Sequence, residues 1–219
     1  MEITWYGLGC FRLTERGCPS LVFDPFDEEE AGLRLPRSGA DVVLSSRLID
    51  NPSNVRWPRL DGSAARTLAA PGEYEIGGVF ITGVASPRVA SDPGITLDNV
   101  VYTASYGGVV VCHLGELGRA LTSAQVESIG HVDVLLVPVG MEAGLTMAMA
   151  SETVSLIEPD TVIPMQYATP GLRLPRGTVE GFLKEMGVVS PTCISSLKVV
   201  AGEHREETRV LLLEPSVDR

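Results

Sequence analysis

The sequence predicts an α/β (α+β) fold in which β-sheets pack together and helices lie outside them. Three observations carry that expectation. The first half of the chain is a run of short apolar segments with hairpin signals between them, and the second half alternates strand-like and helix-like segments. No linker rich in Gly, Ser or Pro divides the two, so one domain over residues 1–219 is the simplest organisation.

In chain order, Glu2–Tyr6 alternates around Ile3 and Trp5, the period of a strand with one face inward. Phe11–Leu13 and Leu21–Phe23 follow glycine-bearing turns. The acidic run Asp27–Glu30 reads as a solvated loop or a helix start. Asp41–Leu44 is a short apolar run entering Ser45 and Ser46, which suits a buried strand. The phrase Pro71–Glu75 reads as a turn and strand entry. Val79–Val84, Val100–Ala104 and Val109–Cys112 are further strands, and Gly107-Gly108 between the last two marks a hairpin.

Helix signals follow. Thr122 and Gln125 form a capping box, and Gly130 supplies a stop. Val132–Val137 is a continuous apolar strand ended by Pro138, with His131 at its start. Thr146–Ile157 is helical in pattern and closed by Pro159. Thr161–Pro164 is a strand, Val179–Met186 a helix ending at Gly187, and Val210–Leu213 the last strand.

Composition narrows the function classes. A hydrophobic fraction of 44% is enough for a sizeable core, and with only 5% aromatic residues that core must be mainly aliphatic. Net charge is −11 with no basic run, which argues against nucleic acid or an anionic membrane as partner. No apolar stretch reaches the ~20 residues that cross a bilayer, and the first residues lack the features of a signal peptide. Cys10, Cys18, Cys112 and Cys193 are scattered without a CxxC pair, so a reduced, cytoplasmic environment is expected. Gly7-Leu-Gly9 is too short for a dinucleotide fingerprint, and neither a phosphate-binding GxxxxGK[ST] loop nor a Gly-x-Ser-x-Gly elbow occurs. Cys112 and His113, adjacent in a strand, point to opposite faces and cannot simply pair as a thiol nucleophile and its base.

Five phrases in fixed order carry a resemblance. They are Trp5–Leu13 (WYGLGCFRL), Pro71–Ile76 (PGEYEI), Cys112–Gly118 (CHLGELG), Val132–Gly140 (VDVLLVPVG) and Val162–Tyr167 (VIPMQY). Together they resemble the Zn-dependent hydrolases of the metallo-β-lactamase fold, in the branch related to the L-ascorbate-6-phosphate lactonases. The resemblance implies a four-layer αββα sandwich with a two-metal site at one edge of the sheets. A metal-bound hydroxide there would attack an ester, lactone or phosphoester centre, chemistry that needs a dense shell of histidine and carboxylate ligands.

Residue by residue, that shell is missing. The family's Thr-His-x-His-x-Asp-His turn corresponds to Ser45–Asn51, so Ser46, Leu48 and Asn51 stand where the three histidines would be and only Asp50 matches. An apolar side chain such as Leu48 cannot be a ligand. Arg88 falls at the next family histidine, within one or two residues. Glu116 replaces the bridging aspartate, Gln166 the last histidine and Leu8 an early one beside the site. The chain has three histidines, His113, His131 and His204, and none falls on a family ligand position. His113 reads as a strand-end histidine bound to backbone, the other two as surface residues.

The reading that results is a pseudo-hydrolase, kept as a binding or assembly module, with a vestigial pocket of Ser46, Leu48, Asp50, Asn51, Arg88, Glu116 and Gln166. No cofactor is expected. Arg88 or Arg47 would supply the positive charge that a dication gives the carboxylates, and would hold a small-molecule or anionic ligand. A homo-oligomer is expected by analogy with the family. The alternative is a metal-dependent hydrolase with a remodelled oxygen-rich site, in which Asp50 and Glu116, with Gln166, hold one Mg, Mn or Zn ion.

Overall fold

A computed structural model describes residues 1–47, 63–88, 99–203, 205 and 207–216. Leu48, Asp50, Asn51 and His204 therefore lie outside the described residues.

The first seven strands are β1 (Glu2–Trp5), β2 (Phe11–Thr14), β3 (Leu21–Phe23), β4 (Val42–Leu44), β5 (Arg66–Leu68), β6 (Gly72–Ile76) and β7 (Val79–Ser86). The next seven are β8 (Asn99–Tyr106), β9 (Val109–His113), β10 (Val134–Pro138), β11 (Thr161–Met165), β12 (Thr192–Ile194), β13 (Ser196–Lys198) and β14 (Arg209–Leu213). Four helices accompany them: α1 (Glu28–Ala31), α2 (Ser123–Ile129), α3 (Met147–Ile157) and α4 (Glu180–Glu185). The strands form two mixed sheets, ordered β13-β1-β2-β3-β4-β5 and β12-β14-β11-β10-β9-β8-β7-β6.

Each sheet is antiparallel at one end and parallel at the other. Hairpins build β1-β2-β3 and β6-β7-β8-β9, and crossovers make β3-β4-β5 and β9-β10-β11-β14-β12 parallel. The division follows the sequence, because two-residue glycine turns such as Gly107-Gly108 reverse the chain, whereas α1 between β3 and β4, α2 between β9 and β10 and α3 between β10 and β11 accompany parallel returns. Parallel strands covered on both faces lose their polar alternation, and every residue of β10 and β11 is buried.

One core joins the sheets. Trp5, Phe11, Leu13, Leu21, Phe23 and Leu44 share it with Ile81, Tyr102, Val111 and Leu136. Full burial of side chains this size stabilises by roughly 1.5–3 kcal/mol each before entropy is counted. On the far side of the first sheet, Val22 and Val43 alternate outward and are buried with Tyr6, Cys10 and Ala40 against Phe26 and Leu35. That outer layer includes α1, a single turn capped by Asp27, whose side chain accepts from Glu29 N–H and Glu30 N–H. On the second sheet, α2 packs on β7, α3 on β10 and α4 on α3.

Most predicted strands lie within a few residues of those found. The differences are local. His131 precedes its strand instead of starting it, because β10 begins at Val134. Pro164 lies inside β11, within the register paired to β10. Thr146 is the N-cap of α3, its side chain accepting from Met149 N–H. Among the described residues no helix is long and apolar enough to cross a membrane.

The capping box predicted for α2 is present in full, Thr122 accepting from Gln125 N–H and Gln125 returning the bond to Thr122 N–H. Gln125 also donates from Nε2 to the Ala85 carbonyl at 2.8 Å, fastening the helix to β7. Thr122→Ala should lower stability by about 1 kcal/mol, read as a lower urea midpoint at unchanged denaturant slope.

Candidate functional site

The strands present their C-terminal ends to one region. Leu8 follows β1, Asp24 follows β3, Ser46 and Arg47 follow β4, Arg88 follows β7, Glu116 follows β9 and Gln166 follows β11. Loops at the carboxyl ends of strands are the usual place for ligands in open α/β sheets. A cavity of about 290 Å³ opens there, and Leu8, Asp24, Arg47, Glu116, Gln166 and Arg176 are among the residues lining it.

Glu116 stands at its centre, with a side chain only 4% exposed. Arg47 Nη2 lies 2.5 Å from Oε1 and Arg88 Nε lies 2.7 Å from Oε2. The two contacts differ in kind. Arg47 donates a hydrogen bond to Oε1, whereas no described donor is aligned on Oε2, so Arg88 balances its charge without satisfying its lone pairs. For Arg47, burial works against the charged form, but the hydrogen bond and charge of Glu116 outweigh it and its pKa is raised.

The loop carrying Glu116 is held from below. Asn99 is buried at the start of β8 and accepts from Glu116 N–H through Oδ1 at 2.7 Å. Its amide donates to Ser86 Oγ at 2.7 Å and to the Leu114 carbonyl at 3.0 Å. Arg47 forms a backbone bridge with the same Asn99. Gly115 makes the close approach possible: at φ +64° a Cβ there would lie 2.3 Å from Asn99 Oδ1 and 2.5 Å from Ser46 Cβ.

Asp24 is a largely enclosed carboxylate, its side chain 14% exposed, that sequence reasoning missed. Its Oδ1 accepts from Ser46 N–H and its Oδ2 from Ser46 Oγ–H, both at 2.6 Å. Burial raises its pKa, opposed by His113 and the Ser46 bonds, with the Glu116 charge acting in the same direction as burial. His113 Nδ1 lies 3.9 Å from Asp24 Oδ2. Two hydrogen bonds assign the imidazole as neutral: Nε2–H donates to the Gly9 carbonyl at 2.8 Å, and Nδ1 accepts from Gly115 N–H at 3.1 Å. Burial lowers the His113 pKa, which agrees with that assignment, so the contact with Asp24 is not an ion pair. The ring stacks on Phe23 with centroids 4.9 Å apart and meets Phe11 edge-on.

Gln166 is also buried, and its Oε1 accepts from Arg176 Nε at 3.4 Å, a long bond. Arg176, on the loop between β11 and α4, was not foreseen either. Burial lowers its pKa; Glu116 and Glu30 oppose that shift, while Arg47 and Arg88 add to it. The backbone here is unusual. Leu8 (φ +49°), Asp24 (φ +39°) and Gln166 (φ +62°) have left-handed conformations, and all three line the cavity. Such conformations cost of order 1–3 kcal/mol each and collect at functional sites.

Of the residues singled out in the sequence, the structure thus brings Ser46, Arg88, Glu116 and Gln166 together with Arg47. Ser46 faces Asp24 and not the ion pairs. Leu48, Asp50 and Asn51 are outside the described residues. His131 is exposed and lies 3.1 Å from Asp133, away from this site. No group of three or more His, Cys, Asp or Glu that could hold a metal occurs among the described residues.

Two mixed sheets sharing one core, with a site at the carboxyl ends of their strands, define a metallo-β-lactamase sandwich. The chain belongs to the β-lactamase superfamily domain family, whose model matches residues 2–166. A UPF0173 protein of Pyrococcus abyssi is 27% identical over 206 residues, covering 85% of this chain and 90% of its own length. A UPF0173 metal-dependent hydrolase of Methanoregula boonei is 27% identical over 189 residues, covering 77% and 83%. Among solved structures, a protein of the metallo-β-lactamase superfamily from Thermotoga maritima, described as a Zn-dependent hydrolase, superposes with a TM-score of 0.74 at 34% identity. That match covers 97% of both chains.

Two predictions follow from the geometry. Replacing both guanidiniums, Arg47→Met with Arg88→Met, strands a buried carboxylate and should cost about 3 kcal/mol. Glu116→Gln should cost nearer 1 kcal/mol, because side chains already 56% and 36% exposed can turn to water. Urea unfolding of the three proteins checks the order, and equal losses would contradict it.

The second concerns pH. Below about 6.5 the unfolded His113 binds a proton that the buried ring resists, so its contribution is present above that pH and lost as pH falls. Wild type should therefore lose stability relative to His113→Gln between pH 7.5 and 5.5, at up to about 1.4 kcal/mol per pH unit. Because His113 also acts on the Asp24 carboxyl, the urea midpoints are compared with Asp24→Asn in both proteins.

Proposed function

We propose that this chain is a pseudo-hydrolase: a metal-free member of its family whose site binds without cleaving. The observation that carries the reading is the pairing of Glu116 with Arg47 and Arg88. In the resemblance this position belongs to a metal-bridging carboxylate. Here both oxygens face guanidinium groups, at 2.5 and 2.7 Å.

The described residues do not fit a dication. A metal held by Glu116 at about 2.0–2.2 Å would lie against two guanidiniums, whose nitrogens stand 2.5 and 2.7 Å from the carboxylate oxygens. Arg176 would add to the repulsion, since the charges of all three arginines are felt at this site. Two unit charges at 4 Å repel by about 4 kcal/mol at an effective dielectric near 20, and a dication doubles that for each guanidinium. Of the other polar groups, Gln166 offers an amide, the Ser46 hydroxyl is already bonded to Asp24, Asp24 accepts two hydrogen bonds from Ser46, and Asp27, on the same wall as Glu30, caps α1. Hydrolysis by a metal-bound hydroxide has no support from this donor set.

What the arrangement supports is recognition. The guanidiniums are fixed by a buried carboxylate, the main chain is held in strained conformations, and the cavity is lined by both apolar and charged groups. The relatives named metal-dependent hydrolases share the scaffold. Against the ligand pattern that the family resemblance implies, this chain carries Ser46, Arg88, Glu116 and Gln166.

Elemental analysis of untagged protein, purified without chelator, tests the proposal. Zinc, manganese and iron should each be far below one equivalent per chain, and should stay there after dialysis against each metal. One or two tightly held equivalents would overturn the reading in favour of a hydrolase using Asp50, Glu116 and Gln166. A restored variant gives the converse test. Ser46→His, Leu48→His, Asn51→His, Arg88→His and Gln166→His combined with Glu116→Asp should gain tight zinc binding, measured by titration against a competing chelator.

A further inference from the structure

Three guanidiniums gather at the site, but Glu116 takes up only two of them. Arg47 and Arg88 have it as an ion-pair partner. Arg176 has none within ion-pair distance among the described residues; it donates to the Pro175 carbonyl at 2.8 Å and, weakly, to Gln166 Oε1. It is also partly withdrawn from water beside two other cations, in a chain of 17 basic against 28 acidic residues. Glu116 and Glu30 act on it only through their charge, so its guanidinium has no direct carboxylate partner among the described residues, and a bound carboxylate would supply one.

Other residues around the same space restrict which anion. Leu8 and Leu174 line the cavity together with Phe26, and Leu8 packs with Ala31 and Leu33 in a small cluster to which Phe26 and Leu174 also belong. That gives an apolar surface beside the guanidinium. Asp24, Asp27 and Glu30 line the cavity too. Their carboxylates disfavour an anion with two or more charges, since like charges brought together repel. At about 290 Å³ the cavity lies at the small end of ligand pockets, so the occupant is small.

We infer that the cavity is a site for a small organic monoanion, a carboxylate with a compact apolar body. Arg176 receives the carboxylate through the planar fork of its guanidinium, and the body lies against Leu8, Phe26 and Leu174. A dianion such as phosphate is discriminated against by the acidic groups of the same wall. The inference rests on the reading of the site as metal-free, because a metal at Glu116 would itself attract anions.

The test uses uniformly ¹⁵N-labelled protein whose metal content has been measured, titrated separately with butyrate, inorganic phosphate and butylammonium. Butyrate should produce a saturable shift of the Arg176 side-chain Nε–Hε resonance, assigned by its loss in Arg176→Gln. Phosphate should bind more weakly, and butylammonium should not bind. In Arg176→Gln, shown to be folded by its amide spectrum, butyrate affinity followed at the amides of Leu8 and Phe26 should fall about tenfold or more. Arg176→Lys should retain part of it, since the charge remains while the fork is lost.

Absence of butyrate binding to metal-free protein would overturn this inference and leave the pseudo-hydrolase reading standing. So would phosphate binding at least as tight as butyrate, or unchanged affinity in Arg176→Gln. Butyrate binding that vanishes when a resident metal is chelated would overturn both.

Discussion

Burying a carboxylate is costly unless positive charge comes with it, and at Glu116 two guanidiniums provide that charge. The geometry of the site depends on this clamp. Arg47 comes from the end of β4 and Arg88 from the end of β7, so the pairing ties one edge of each sheet to the loop after β9. The energetics are unequal among the partners. The arginines are partly exposed and can recover hydration; Glu116 cannot without dismantling the loop that Asn99 and Gly115 hold in place. Positive charge is therefore more strongly required here than any particular residue that supplies it.

A second network is made of hydrogen bonds and not of ion pairs. Asp24 takes both bonds from Ser46, and His113 bridges from Gly115 N–H on its own strand's exit to the Gly9 carbonyl on the opposite sheet. Its ring fills the space between Phe11 and Phe23. A neutral imidazole serves because one nitrogen must donate and the other accept, which a protonated ring could not do. Polar groups in this layer set the separation and register of the two sheets, while the aliphatic core around them supplies the bulk of the burial.

The strands that were legible in the sequence share a cause. Asn99–Tyr106, Val134–Pro138 and Thr161–Met165 are mostly or wholly buried and Val79–Ser86 buries half its residues, largely in alternation, so their composition reports their environment directly. Thr192–Ile194 and Ser196–Lys198 are three residues each, too short for alternation to be read, and Leu197 alone among the six is buried; they form by pairing with β14 and β1. In the site, Arg47, Arg88 and Glu116 were findable because the family resemblance fixed their positions. Asp24 was not, since Asp24-Pro25 looks like an ordinary turn and only the two hydrogen bonds from Ser46, distant in sequence, mark the carboxylate out. Arg176 sits in a loop of Pro, Gly, Arg and Leu with no periodic signal, and its role comes from where that loop is docked by Gly177 N–H on the Gly140 carbonyl.

The left-handed backbones at Leu8, Asp24 and Gln166 have a consequence for how such a protein changes over time. A cavity whose outline is set by main-chain torsions does not need its side chains to keep its shape. Leucine at position 8 and glutamine at position 166 occupy conformations that favour neither, which means the surrounding packing imposes them. Such a scaffold separates heritable form from heritable chemistry. Residues at the site can be exchanged one at a time, each tolerated because the architecture is already secured elsewhere, and the distance between a catalyst and a receptor becomes a short walk in sequence.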